Sequence, residues 1–224
     1  MKMKVAVLQT KVFADKNENL EQVKALMARE DVAACDLVTL PEMWNCPYQT
    51  ENFPIYAERE DSEFVRALAE LAKKHHVYFQ AGSIPEVDDA GHVYNTAYTF
   101  DREGTRIGKY RKVHLFDIFV KGGQVFKESD TLTAGDAFQV FDTEFGKMGV
   151  NICFDIRFPE SARIPTLHGA RILMNPGAFN MTTGPAHWEL AFRQRAVENQ
   201  VYMIGAAPAR DPEAGYTSWG HSII

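Results

Sequence analysis

Three residues pair a side chain capable of covalent or proton-transfer chemistry with a place where chains often build sites. Cys153, in Gly149-Val-Asn-Ile-Cys153-Phe-Asp-Ile-Arg-Phe-Pro159, stands where a strand pattern turns toward a helix. A helix start leaves amide hydrogens unpaired and carries the positive end of the peptide dipole, so the thiolate, the nucleophilic form of sulfur, is expected there. Glu42, in Leu40-Pro-Glu-Met-Trp44, and Lys112, in Lys109-Tyr-Arg-Lys-Val-His-Leu115, each lie next to the end of another strand pattern. In open α/β sheets the crevice beyond the strands' carboxyl ends gathers side chains from distant segments, so the three could meet. Each also has a plainer reading: a buried structural cysteine, a turn carboxylate, and one member of a solvated basic run.

The elements that would position them follow from period and punctuation. Val5 to Gln9 predicts a strand, and Asn17 to Arg29 an amphipathic helix with Leu20, Val23 and Met27 at helical spacing. The strand Asp36 to Leu40 stops at Pro41, which has no ladder amide and leaves Glu42 just past the strand end. A helix over Ser62 to His75 and a strand over Val77 to Ile84 come next, then a hairpin of Val93 to Phe100 and Thr105 to Tyr110 turning at Gly104. Lys112 to Leu132 shows neither period and contains Gly122-Gly123, which predicts a long ordered loop, usually functional. Strands over Phe138 to Phe141, Met148 to Cys153, Ala170 to Met174 and Val201 to Ala207, with a helix over Pro185 to Asn199, complete an α/β pattern without internal repeats.

Composition removes several classes of function. The 224 residues carry a net charge of −6, the opposite of what a nucleic-acid or membrane-surface protein needs. The longest strongly apolar stretch, Val201 to Ala209, is far short of the roughly 20 residues of a membrane span. The start, MKMKVAVLQT, has no signal-peptide pattern. Three cysteines without a C-x-x-C pair suit a reducing compartment, by default the cytoplasm. Cys35 and Cys46 read as small apolar fillers, His114 as a packing residue, His75-His76 as a helix end, and His187-Trp-Glu189 lacks the second histidine of a zinc helix.

Three long segments resemble the signatures of the nitrilase superfamily of carbon–nitrogen hydrolases: LPEMWNCPY around Glu42, KYRKVHLFD around Lys112 and GVNICFDIRFPE around Cys153, in the family's order and wide separation. Val125-Phe-Lys-Glu128-Ser is similar to the stretch supplying the family's second glutamate, Glu128. PGAFNMTTGPAHWEL from Pro176, RAVENQVYMIGAAPARD from Arg195 and Trp219-Gly-His-Ser222 resemble the ω-amidase branch. The resemblance implies one carbon–nitrogen hydrolase domain over 1–224, a four-layer αββα sandwich of two mixed sheets, and a homodimer or higher homo-oligomer. It implies no metal and no organic cofactor, with a small-molecule amide and water as partners and neither nucleic acid nor membrane. Members usually continue for some tens of residues past the Gly-His-Ser segment, adding strand and a tail involved in subunit contact, whereas this sequence ends at Ile224. Phe119 and Lys121 stand where ω-amidases more often carry Asp and Pro, before Glu128.

By that resemblance Glu42, Lys112 and Cys153 are the catalytic triad, with Glu128 positioning Lys112 and water. An amide is a poor electrophile with a leaving group that cannot depart as an anion. A thiol splits the reaction through a thioester, and Glu42 would move protons between sulfur, nitrogen and water. Lys112 and the Phe154 amide would face the oxyanion. The ω-amidase reading implies small 2-oxo dicarboxylate monoamides, α-ketoglutaramate and α-ketosuccinamate, whose far carboxylate needs a cationic seat. Arg157, four residues past Cys153, is the first candidate; a structural ion pair with Glu160 is its alternative. Thr183, Phe179 and Tyr48 are further substrate-binding candidates. The competing functions are another amidase of the superfamily, such as a deaminated-glutathione amidase or an N-carbamoyl amino acid hydrolase, and a non-catalytic binding domain.

Overall fold

The computed structural model describes residues 2–119, 121 and 125–224. The predicted Gly122-Gly123 of the central loop therefore lies outside the described residues. Along the chain run β1 (Val5–Val7), α1 (Lys16–Met27), the one-turn α2 (Glu30–Ala33), β2 (Leu37–Thr39), the short α3 (Phe53–Tyr56), α4 (Glu63–His75), β3 (Tyr78–Gln80) and β4 (Ile84–Val87). The hairpin β5 (Val93–Phe100) and β6 (Arg106–Arg111) follows, then β7 (Asp117–Phe119), β8 (Val125–Lys127), β9 (Gln139–Thr143) and β10 (Gly146–Val150). Last come α5 (Glu160–Leu167), β11 (Ile172–Pro176), α6 (Thr183–Asn199) and β12 (Tyr202–Ala206).

Two mixed sheets result. One has the order β1-β2-β3-β5-β4 with β6 on β5, and the other the order β12-β11-β10-β9. Because side chains alternate across a strand, Leu37 joins the core between the sheets while its neighbour Val38 faces the other way, toward Leu20, Val23 and Met27 of α1 and Phe64, Leu68 and Leu71 of α4. Trp188 and Phe192 of α6 and Ala162 of α5 cover the second sheet. The layers are thus α, β, β, α, as the resemblance implied. The sheets approach closely at β6, where a side chain on Gly108 would meet the Phe141 ring of β9 at 2.8 Å. Helix α4 starts where its sequence says: Ser62 Oγ accepts from the Val65 amide at 3.2 Å, a cap worth about 1 kcal/mol.

Three local expectations are corrected. The strand drawn over Val77 to Ile84 is two strands, β3 and β4, both running along β5 and separated at Gly82, whose φ is +61°. The aperiodic Lys112 to Leu132 segment contains the antiparallel ribbon β7–β8, too short at three residues per strand to show a period. No α-helix begins at Cys153; a 3₁₀ turn over Cys153–Arg157 intervenes before α5. Cys35 is also only half-buried at the end of α2, its thiol donating to the Asp31 carbonyl at 3.3 Å, so it fills no core.

Candidate active site

Each candidate side chain sits just beyond a strand end and is held there by the backbone. After β2, the Pro41 carbonyl accepts from the Ser83 amide at 3.0 Å, the Met43 amide donates to Ser83 Oγ at 3.1 Å, and Trp44 Nε1 donates to the Ala81 carbonyl at 2.8 Å. The Glu42 turn is thus pinned to the break between β3 and β4. That fit requires glycine at 82, because a Cβ there would lie 2.1 Å from the Pro41 oxygen. Lys112 directly follows β6, its amide donating to the Asn95 carbonyl at 2.9 Å. Glu128 follows β8 and its Oε2 accepts from the Phe116 amide at 2.8 Å, closing the ribbon over the site. Cys153 lies three residues past β10 with φ +46°, a left-handed conformation that costs a non-glycine residue of order 1–3 kcal/mol and persists only when its surroundings impose it.

The sequence-predicted group comes together. Lys112 Nζ stands 2.9 Å from Glu42 Oε1 and 2.9 Å from Glu128 Oε2, and all three side chains are 0% exposed. Tyr48 bridges the two carboxylates: its hydroxyl donates to Glu128 Oε1 at 2.7 Å and lies 3.4 Å from Glu42 Oε1. Glu42 also accepts from Asn95 Nδ2 on Oε1 at 2.9 Å and from the Ala178 amide on Oε2 at 2.9 Å. Tyr48 is therefore committed to the carboxylates through its only proton, and its ring, rather than its hydroxyl donor, is what it offers a ligand.

Electrostatics follow from burial. Burial opposes the charge on Lys112, but Glu128 and Glu42 outweigh it and hold the ammonium well above its ordinary pKa. Burial raises the Glu128 carboxyl above its ordinary value, with the Lys112 charge opposing and Glu42 adding. The Cys153 thiol is raised well above its ordinary value by burial first and by the Glu42 charge second, against the pull of Lys112. The support expected for the thiolate is absent, because no α-helix begins at Cys153, and burial favours the thiol instead.

Two hollows flank the group. One is lined by Glu42, Met43 and Tyr48 and opens past Val12 and Pro208. The other holds Cys153 with Phe116, Phe154, Arg157, Phe179 and Thr183. Ala178 and Tyr216 line both. Tyr216 donates to the Ala178 carbonyl and packs against the Tyr48 ring, centroids 4.8 Å apart and planes tilted by 39°, so it stands between the two hollows. Arg157 lies against the faces of Phe154 at 5.1 Å and Phe179 at 5.3 Å. Its buried Nε has no hydrogen-bond partner, and among the described residues no carboxylate, Glu160 included, stands at ion-pair distance from it. Burial lowers its pKa, as expected of a cation short of partners. The helical-turn argument for its placement fails, since the turn is 3₁₀, yet Arg157 still shares the Cys153 hollow. Thr183 Oγ1 donates to Asn180 Oδ1 at 2.9 Å, leaving it an acceptor for any ligand.

Sequence reasoning missed Asn95, Tyr216 and the Ala178 amide. Asn95 left one trace, an amide side chain inside a strand run of β-branched and aromatic residues; the other two left none.

The sequence model of the carbon–nitrogen hydrolase family matches residues 4–224. The chain is 48% identical to the mouse protein named Omega-amidase NIT2 over 221 residues, spanning 99% of this chain and 80% of that one. It is 49% identical to Omega-amidase NIT2-A of Xenopus laevis, spanning 100% and 80%. Its fold superposes on the crystal structure of Saccharomyces cerevisiae Nit3, a member of branch 10 of the nitrilase superfamily, with a TM-score of 0.88 at 40% identity over 99% of this chain and 81% of that one. The C. elegans NitFhit protein gives 0.86 at 33% identity, covering 99% and 55%. With the strand-end glutamates, lysine and cysteine gathered as they are, and a match running through nearly every residue, the chain belongs to the carbon–nitrogen hydrolase family.

Proposed function

We propose that the protein is an ω-amidase that hydrolyses the terminal amide of small 2-oxo dicarboxylate monoamides, α-ketoglutaramate and α-ketosuccinamate, to the acid and ammonia. The observation that carries the reading is a buried ammonium held between two buried carboxylates, one of which, Glu42, is in hydrogen-bonding reach of the buried Cys153 thiol. The identity with proteins named ω-amidases supports the choice of substrate class.

In this reading Glu42 takes the proton of the Cys153 thiol as sulfur attacks the amide carbon, so charge appears only when substrate is in place. The tetrahedral oxyanion faces the Lys112 ammonium and the Phe154 amide; one well-placed donor of this kind is worth roughly 2.7–4 kcal/mol of barrier. Glu42 returns the proton to the nitrogen, ammonia leaves, and a thioester remains. Glu42 then draws a proton from water, which attacks the thioester carbon and releases the acid and the thiol. Glu128 holds Lys112 and the water in place. Arg157 seats the far carboxylate, with Phe179 as an apolar wall and Thr183 completing the hollow, while Tyr48 lines the neighbouring hollow beside Glu42.

Arg157→Gln tests the substrate assignment. Loss of one charge-assisted contact costs about 1.5–3 kcal/mol, so KM for α-ketoglutaramate should rise roughly tenfold to a hundredfold while an uncharged short amide is unaffected. An equal effect on both substrates would remove Arg157 from carboxylate recognition. Competing α-ketoglutaramate against deaminated glutathione and an N-carbamoyl amino acid measures specificity directly; preference for either rival would overturn the ω-amidase reading.

The proposal includes one domain over 1–224, a cytoplasmic location consistent with three free cysteines, and a homodimer or higher homo-oligomer. Leu190 (66% exposed) and Val197 (75%), two turns apart on one face of α6, are apolar residues that a second copy would cover. Leu190→Glu should shift the species seen by light scattering toward monomer; an unchanged mass would place the interface elsewhere.

A further inference from the structure

Asp155 is completely buried two residues past the nucleophile, and it ties together two distant stretches of chain. Its Oδ2 accepts from the Ile152 amide at 2.9 Å and from the Tyr110 hydroxyl at 2.7 Å. Its Oδ1 accepts from the His114 amide at 2.8 Å and lies 2.8 Å from His114 Nδ1. Ile152 immediately precedes Cys153, and Tyr110 and His114 lie two residues to either side of Lys112. The His114 ring in turn stacks on Phe158, at the end of the nucleophile turn, with centroids 3.7 Å apart and planes 7° from parallel. One carboxylate thus spans the gap between the turn that carries the sulfur and the segment that carries the ammonium. It also holds the approach to Cys153, whose left-handed φ needs such restraint.

We infer that Asp155 is a positioning residue for the reaction: it sets the register of the Cys153 sulfur against the Lys112 ammonium through one fixed backbone donor on each of its two oxygens. The inference rests on the Cys–Glu–Lys reading of the site and assigns Asp155 no contact with substrate. The arrangement is demanding in a specific way. A histidine can change tautomer and a tyrosine hydroxyl can rotate, but the Ile152 and His114 amides can only donate. An asparagine at 155 must point its NH₂ at one of them whichever way its amide is turned, so one of the two links is broken and an N–H faces an N–H.

The test compares Asp155→Asn with Tyr110→Phe, which removes one hydroxyl and leaves both backbone links. Two readouts are taken per folded protein: steady-state turnover, and the pH dependence of alkylation of Cys153 by iodoacetamide, located by mass spectrometry. Displacement of a reacting group by about 1 Å costs on the order of a hundredfold. Asp155→Asn should therefore lose about that much in kcat with KM within about threefold. Its alkylation rate should drop at least about tenfold across the pH range in which the wild-type protein reacts, because Glu42 is no longer placed to take the thiol proton. Tyr110→Phe, which leaves Oδ2 held by the Ile152 amide alone, should lose about threefold to tenfold in kcat, again at unchanged KM. If Asp155→Asn folds, with whatever loss of thermal stability, and keeps wild-type kcat and a superimposable alkylation profile, Asp155 is a structural group only and the inference is overturned. If that variant yields no folded protein, Tyr110→Phe decides: a lowered kcat at constant KM supports the inference, and wild-type values in both readouts overturn it. Failure of the wild-type protein to hydrolyse any amide would sink the functional reading instead, while the alkylation profiles would still test the register.

Discussion

Cys153→Ala should abolish amide hydrolysis, with kcat reduced by about 10⁴-fold or more, in a protein that still folds. Removing a nucleophile that acts as one unit with its base costs on that scale, because no neighbour can form the covalent intermediate. The substitution removes only one buried sulfur, worth about 1 kcal/mol of packing, and leaves the Lys112, Glu42 and Glu128 contacts untouched. Activity and stability should therefore separate: a near-native melting transition with no turnover, and no hydroxamate when hydroxylamine is added. Turnover by the alanine protein within tenfold of wild type would remove sulfur from the reaction. Burial of the thiol adds a second expectation. Since burial and Glu42 both favour the protonated form, modification of Cys153 should not show the low-pH reactivity of a preformed thiolate.

Lys112→Met should be inactive and, unlike the cysteine variant, strongly destabilised. Methionine matches the stem in volume but leaves Glu42 and Glu128 facing each other, both fully buried. Removing one partner of a buried ionic group costs about 3–5 kcal/mol, most of it the desolvation of the charge left behind. The sign of the pH response distinguishes this from a packing defect. Burial already raises the Glu128 carboxyl, and the Lys112 ammonium is what opposes that rise. Without it, the folded-state pKa of Glu128 moves further above the unfolded value of about 4.3. A folded state that binds more protons than the unfolded one gains stability as pH falls, so the variant should be relatively most stable in mild acid and lose stability as pH rises through the raised folded pKa. Denaturant midpoints measured from pH 5 to 8 would show this slope; a pH-independent deficit would indicate packing loss instead.

What the sequence disclosed and what it withheld have physical reasons. Glu42 and Lys112 were legible as strand-end residues because proline and the hairpin mark those ends locally, through bonds between neighbours in the chain. Helix α4 was legible from Ser62 and from Phe64, Leu68 and Leu71 for the same reason. The protonation state of Cys153 was not, because it depends on burial by segments far away and on a 3₁₀ turn where a helix was expected. Asn95 could be noticed as polar in a strand, but nothing near it names its partner, a carboxylate 53 residues earlier. Arg157 reached the predicted neighbourhood by a different route, held among Phe154 and Phe179 rather than by helical spacing. Gly82 read as an ordinary strand residue, because the oxygen that forbids a side chain there belongs to Pro41.

Rapid-quench intact mass spectrometry during turnover of α-ketoglutaramate tests the covalent route itself. The account predicts a transient species heavier than the free protein by the substrate less ammonia, located on Cys153, decaying as acid is released and intercepted by hydroxylamine. Sustained release of ammonia with the protein mass unchanged at every quench time, and no hydroxamate formed, would contradict it.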